Sequence, residues 1–386
     1  MLLGLVLAAL PGVSYVHAEE EETAVIVLLV PDGELERLGE QLAEVARFAG
    51  REVGVRVEAT GTDGRPGLMR ELSERSEVAA VINVGSASPS TAREAEAQGL
   101  PLVVYGSSEV EGLGPRVFRA RLSADEQAER VRSFLEEKMG MTSLGLVAPR
   151  TSFGDRVTRA FASEGLEAVG RYDEGTTDFL PALEVLVGTR VYVGRGRSVA
   201  GRRADRHGTI RLGRPGVVEF EALIIADSDQ VVARLLPFLP RVGIQTGAGG
   251  EGTGVQLVGL SGWRGDGLAR AGDHAVGAIF FDTYGGTSEG GPAEEFAHRF
   301  EDEFGREATT AEAEIYDLVG MIGSGLRARQ EGESFADAAL VRLQQPRAYP
   351  GVTGSWSFQE GGEPARYLRP FRVIDGGRWV PHGSVP

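Results

Sequence analysis

Glu219-Phe-Glu-Ala-Leu-Ile-Ile-Ala226 reads as a hydrophobic strand closed by an Asp227-Ser228 turn. A helix and a Gly-rich loop follow, then a second strand, Val255-Gln-Leu-Val-Gly259, and the segment Leu260-Ser-Gly-Trp263. This is a β-α-β unit whose strands end in small polar residues and one aromatic, the arrangement that presents loop atoms to a ligand at the carboxyl edge of a parallel sheet. The same rhythm extends upstream. Ala24-Val-Ile-Val-Leu-Leu-Val30 is a continuous apolar run of the kind buried on both faces of a parallel sheet. Leu35, Leu38, Leu42, Val45 and Ala49 then fall at three- and four-residue steps and draw one apolar helical stripe. Further strands are expected at 55–59, 78–84 and 100–105, with helices between them at 66–76 and 90–98. The alternation predicts an α/β fold with parallel sheets.

A chain of 386 residues exceeds what one hydrophobic core usually serves, so two lobes are expected. Arg116–Arg121 reads as a strand crossing into the second lobe, followed by a helix from Ser123 whose cap is completed by Glu126. The second sheet draws on 144–148, 167–172, 219–226 and 255–259. Helices follow near 292–304 and 311–328, and the second of these opens on the capping box Thr309-Thr-Ala-Glu312. Turn chemistry at Glu360-Gly-Gly362 and Asp375-Gly-Gly377 predicts two hairpins near the end of the chain.

The net charge of −16 argues against nucleic acid and against an anionic membrane surface. Every basic residue except Lys138 is arginine, which reads as a coding bias, so arginine count alone carries no signal. Residues 1–18 contain no Asp, Glu, Lys or Arg, are interrupted by Pro11, and place Val16 and Ala18 before a run of four glutamates. They read as a secretory signal cleaved after Ala18, which implies a periplasmic protein without a direct membrane anchor. The absence of cysteine excludes disulfides, thiolate metal sites, a nucleophilic cysteine and a lipidated cysteine.

Residues 188–217 hold eight arginines, seven glycines and one acid, Asp205, with little hydrophobic periodicity. They read as an insertion in the second lobe: a docking patch for an anionic partner, or a solvated loop whose removal over 190–214 spares the core.

Catalytic motifs fail on context. Gly247-Ala-Gly249-Gly-Glu-Gly252 matches a dinucleotide pattern literally, but its glycines precede a strand instead of opening a helix. The five histidines lack zinc-binding spacing, and Ser261 lacks the second glycine of a nucleophile elbow, since position 263 is Trp. No enzyme chemistry and no cofactor or metal is expected. Strand ends are the better candidates. Ser86-Ala-Ser88-Pro-Ser-Thr91 leaves a strand and starts a helix, where free N–H groups and hydroxyls form an anion cradle, although Ser88 equally reads as the helix N-cap. The next strand ends in Tyr105-Gly-Ser-Ser108.

In the order and spacing of these blocks, and most closely over 219–263, the chain from about residue 23 to 380 resembles the type I periplasmic solute-binding proteins. This is the leucine-binding-protein family, and the nearest subset is that of the penicillin-binding protein activators. The resemblance implies two doubly wound parallel-sheet lobes joined by a multi-strand hinge, closing over a small solute such as an amino acid or peptide-like molecule. It divides the chain into lobe 1 (19–120 and 262–345) and lobe 2 (121–261 and 346–386), with the strand at 275–282 in the return to lobe 1. It implies a partner as well: an ABC permease, or a peptidoglycan synthase if the chain acts as an activator. To the pocket it assigns Ser86, Ala87, Ser88, Gly106, Ser107 and Ser108 from lobe 1, and Phe153, Asp227, Ser228, Ser261 and Trp263 from lobe 2. Where leucine-type receptors carry an acid for the ligand ammonium, this chain has Ser261. An ammonium closed into a cleft without a counter-charge costs roughly several kcal/mol. Asp227 or Asp282 would have to substitute, or the ligand is not an ordinary amino acid.

Overall fold

The computed structural model describes residues 23–31, 36–61, 65–85, 87–106, 114–162, 165–199, 202–206, 208–212, 217–246 and 254–383. The expected signal segment lies outside them.

The first unit contains β1 (Val25–Val30), α1 (Glu36–Val53), β2 (Arg56–Gly61), α2 (Leu68–Ser73), β3 (Val78–Val84), α3 (Pro89–Ala97), β4 (Leu102–Tyr105) and β5 (Val117–Arg119). Its five strands form a parallel sheet in the order β2-β1-β3-β4-β5. All seven residues of β3 are buried, as the unbroken apolar run requires of a strand covered on both faces.

The chain then enters a second unit: α4 (Ala124–Met139), β6 (Leu144–Pro149), α5 (Ser152–Phe161), β7 (Leu166–Tyr172), α6 (Leu180–Leu186), β8 (Arg190–Tyr192), β9 (Ser198–Val199), β10 (Arg202–Arg203), β11 (Thr209–Arg211), β12 (Ala222–Ile225), α7 (Asp229–Leu235), β13 (Gln256–Gly259), α8 (Asp266–Ala271) and β14 (Ile279–Asp282). It returns through α9 (Gly291–Phe304), α10 (Thr310–Arg327), α11 (Phe335–Gln344), β15 (Tyr349–Gly351), β16 (Gly354–Phe358) and β17 (Pro364–Arg366), and ends with β18 (Arg369–Val373) and β19 (Trp379–Pro381). The second sheet has the order β19-β18-β14-β13-β12-β6-β7, parallel from β14 to β7 and closed by the antiparallel β18-β19 hairpin.

Two lobes of α/β type therefore stand as expected, but two assignments within them change. Ile279–Asp282 does not return the chain to the first lobe: β14 pairs with β13 and β18 in the second sheet, so the crossover follows Asp282. Conversely, β15, β16 and β17 form a separate antiparallel sheet. Its Trp356 and Phe358 pack into the first core beside Phe118, Ile315 and Ile322, so of the segment 346–386 only β18 and β19 join the second sheet. A buried apolar strand reads alike whichever sheet receives it.

The arginine-rich segment is a built ribbon at its root. β8 pairs antiparallel with β11 and β9 with β10. Thr209 and Ile210 are buried, and the Arg190 guanidinium bonds Glu184 of α6 and Asp205 at 2.6–2.8 Å. Side-chain hydrogen bonds and ion pairs, not hydrophobic periodicity, hold this element.

Among the described residues, no helix is long and apolar enough to cross a membrane.

Candidate functional site

In a doubly wound sheet, ligands collect outside the carboxyl ends of the strands where the winding reverses. In the second sheet β6 lies between β7, which follows it in sequence, and β12, so the reversal falls between β6 and β12. β6 ends at Pro149 and leads into α5. Thr151 caps that helix by accepting a hydrogen bond from the Gly154 N–H, 3.2 Å, which fixes Phe153 at the mouth of the crevice. Position 154 must be glycine: a Cβ there would sit 2.0 Å from the Pro149 carbonyl oxygen. β12 delivers Asp227 and Ser228 opposite. The matching reversal in the first sheet lies between β1 and β3, where Gly85 follows the end of β3.

A cavity of about 520 Å³ fills the crevice. Phe153, Asp227, Ser228, Ser261 and Gly262 line it from the second lobe, with Arg156 and Arg159 along α5. Gly106 at the end of β4 borders it from the first lobe, and the crossover from β5 to α4 adds Arg119, Arg121 and Ser123. A neighbouring cavity of about 470 Å³ shares Phe153, Asp227 and Ser228 and continues to Thr151, Tyr172 and Arg234. Asp227 is held in place. The Tyr172 hydroxyl donates to its Oδ2 at 2.5 Å and the Ser228 N–H to its Oδ1 at 2.7 Å. Burial, with the Asp227 charge beside it, raises the Tyr172 pKa well above the ordinary tyrosine value, so this hydroxyl stays a donor. Ser261 donates to Gln127 Oε1 at 2.9 Å, joining the β13 loop to α4.

Five residues expected from the sequence thus surround one cavity: Gly106, Phe153, Asp227, Ser228 and Ser261. Ser86, Ser107 and Ser108 lie outside the described residues. Four others are elsewhere. Ala87 is buried in the first lobe with Val81 and Ala92. Ser88 caps α3, its Oγ accepting the Thr91 N–H at 3.1 Å, and it lines neither cavity. Trp263 is wholly buried in the second core and donates its ring N–H to the Ile225 carbonyl at 3.1 Å. Asp282 is wholly buried as well, accepting from Thr310 Oγ1 and the Thr283 N–H at 2.8 and 2.7 Å. It faces the hinge and cannot meet a ligand ammonium in this cavity.

The sequence reading missed Arg121, Arg156 and Arg159. Phe153, Arg156 and Arg159 follow at steps of three, which places them along one face of α5. That spacing was available in the sequence and was hidden by the use of arginine for nearly every basic position.

No protein-family model matches the sequence, and no curated protein does. Solved structures share its fold. The branched-chain amino acid transporter substrate-binding protein LivJ of Streptococcus pneumoniae, in complex with isoleucine, superposes with a TM-score of 0.65 at 16% identity, over 92% of this chain and 97% of that one. An ABC transporter substrate-binding protein of Sphaerobacter thermophilus gives 0.70 at 19%, over 94% and 98%. A solute-binding protein of R. palustris in complex with benzoate gives 0.64 at 14%, over 94% and 96%. The chain therefore has the two-lobed fold of type I periplasmic binding proteins. The activator subset, and with it a peptidoglycan synthase as partner, gains no support from these structures.

Proposed function

We propose that this protein is a non-catalytic solute receptor that works in the periplasm, binds a small molecule between its lobes and passes it to an ABC permease. The observation that carries this reading is the cavity of about 520 Å³ at the strand-order reversal of the second sheet, bordered by Gly106 of the first lobe and by the crossover. Solutes of the size of the isoleucine and benzoate bound by its structural neighbours fit a volume of this order. The uncharged apolar segment 1–18 supports export.

Hinge closure around ligand is the expected response. The test is a screen of amino acids, short peptides, sugars and organic acids against the purified protein, read by thermal shift and small-angle scattering. A bound solute at 100 times its Kd adds about 2.7 kcal/mol of stability. It should also shrink the radius of gyration, and Phe153→Ala should weaken both effects. Solutes that stabilise the protein equally well with or without Phe153 would remove the cleft from consideration.

A further inference from the structure

We propose that the solute of this cleft is an organic acid, its carboxylate held by arginines and its apolar body laid against Phe153. This inference rests on the solute-receptor reading and assigns its ligand class. The chain carries a net charge of −16, yet the charged side chains lining the larger cavity are four arginines against Asp125 and Asp227. The arginines differ in what already neutralises them. Arg119 is spent, paired with Glu126 at 3.2 Å and with Glu363. Arg121 is compensated in part: it stands 3.8 Å from Glu314, lies over the Tyr105 ring and feels the charge of Asp282, while the Glu314 carboxylate makes its short contacts to Arg366 at 2.7 Å and the Tyr105 hydroxyl at 2.6 Å. For Arg156 and Arg159 no carboxylate stands within bridging distance among the described residues.

Arg121 enters from the crossover wall and Arg156 and Arg159 from α5, so incompletely compensated cations face one cavity from two sides. Any closing motion that narrows the crevice brings like charges together in a medium less polar than water, which opposes closure. A carboxylate between them removes that opposition and accepts forked hydrogen bonds that an arginine guanidinium is shaped to give. A neutral zwitterion leaves the excess positive charge uncorrected, and its ammonium would have only Asp125, exposed on α4, and Asp227, whose oxygens already accept Tyr172 and Ser228. Phe153 and Leu122 supply the apolar part of the lining, which favours an acid with a hydrocarbon body over inorganic phosphate.

The experiment is calorimetric titration of the purified protein with butyrate, benzoate, phenylacetate, leucine, glucose and inorganic phosphate, at low and at moderate salt. At least one of the three carboxylates should bind, with affinity falling about fivefold or more as salt rises. Arg156→Gln and Arg159→Gln should each weaken it about tenfold or more, Arg156→Glu further still, and Arg195→Gln on the ribbon, a residue that lines neither cavity, should change nothing. The melting temperatures of the unliganded variants check that each is folded. Leucine or glucose binding with the affinity untouched in Arg156→Gln would overturn the organic-acid assignment and keep the receptor reading. Phosphate binding alone would likewise overturn it. Silence from all six probes also overturns it, while the scattering screen above judges the receptor reading separately.

Discussion

Glu314 and Arg366 form a buried ion pair, 2.7 Å apart with side chains 3% and 2% exposed, at the point where all three chain crossovers meet. Arg121 lies on the first crossover, Thr283 on the second and Arg366 on the third. Glu314, on α10, receives the Thr283 hydroxyl at 2.8 Å and stands 3.8 Å from Arg121. Arg366 in turn donates to the Ala120 carbonyl at 3.2 Å and stacks over Trp356. Burial works to raise the Glu314 pKa, but Arg366, Arg121 and the hydrogen bonds from Tyr105 and Thr283 outweigh it and hold it below the ordinary glutamate value. Glu314→Gln keeps the acceptor oxygen and removes the charge, leaving Arg366 buried without its partner. The expected cost is about 3 kcal/mol, read from urea unfolding at neutral pH. A loss under about 0.5 kcal/mol would mean that the crossovers are held by packing alone.

One turn along α10, Asp317 has the opposite tendency. It is wholly buried and accepts hydrogen bonds from the Val352 and Thr353 N–H groups at 2.8 and 2.9 Å. Burial outweighs these bonds and pushes its pKa up to about 6, against 3.8 for an ordinary aspartate. A raised carboxyl pKa means that its contribution to stability is full below pH 3.8 and is lost as pH rises through 6. The difference amounts to about 3 kcal/mol. Unfolding free energies of the protein and of Asp317→Asn, compared at pH 5 and pH 7.5, should therefore diverge: the protein gains on acidification relative to the variant. A pH-independent difference would contradict the burial effect.

Residues 219–263 made the second lobe legible because a β-α-β unit with polar strand ends has few folds to occupy, and Asp227, Ser228 and Ser261 do reach one cavity. What the sequence could not show was side-chain direction. Asp282 ends β14 and Ser261 follows the end of β13, yet one side chain enters the hinge and the other the cleft. Trp263 reads as an aromatic ligand contact until its neighbour is considered. A Cβ at Gly259 would lie 2.2 Å from its indole, so the glycine makes room for the tryptophan to lie over β13 within the core. Gly259→Ala should thus cost about 1–3 kcal/mol by overpacking, measured by thermal unfolding, whereas Ser261→Ala, at the cavity wall, should cost about 1 kcal/mol. A Gly259→Ala cost under about 0.5 kcal/mol would count against the buried placement of Trp263.

The arginine ribbon separates into a structural root and an exposed tip. Glu184 of α6 has a side chain 3% exposed, and its counter-charges are Arg190, 2.7 Å away, and Arg211, both on the ribbon. Arg190 also bonds Asp205, whose Oδ1 accepts the Thr209 N–H at 3.0 Å and so fixes the return strand. Deleting residues 190–214 would strip Glu184 of both arginines and leave a buried charge uncompensated, so the core would not be spared. Arg190→Leu alone should cost about 2–4 kcal/mol, with Arg211 retaining part of the pairing. The tip is different: Arg195, Arg197 and Arg203 are exposed. Replacing residues 195–203 by Asn-Gly, a dipeptide suited to a tight hairpin, should change stability by no more than about 0.5 kcal/mol. Urea unfolding of the three variants side by side distinguishes root from tip. A 190–214 deletion as stable as the intact chain would make the whole ribbon an appendage and refute the role assigned to Glu184.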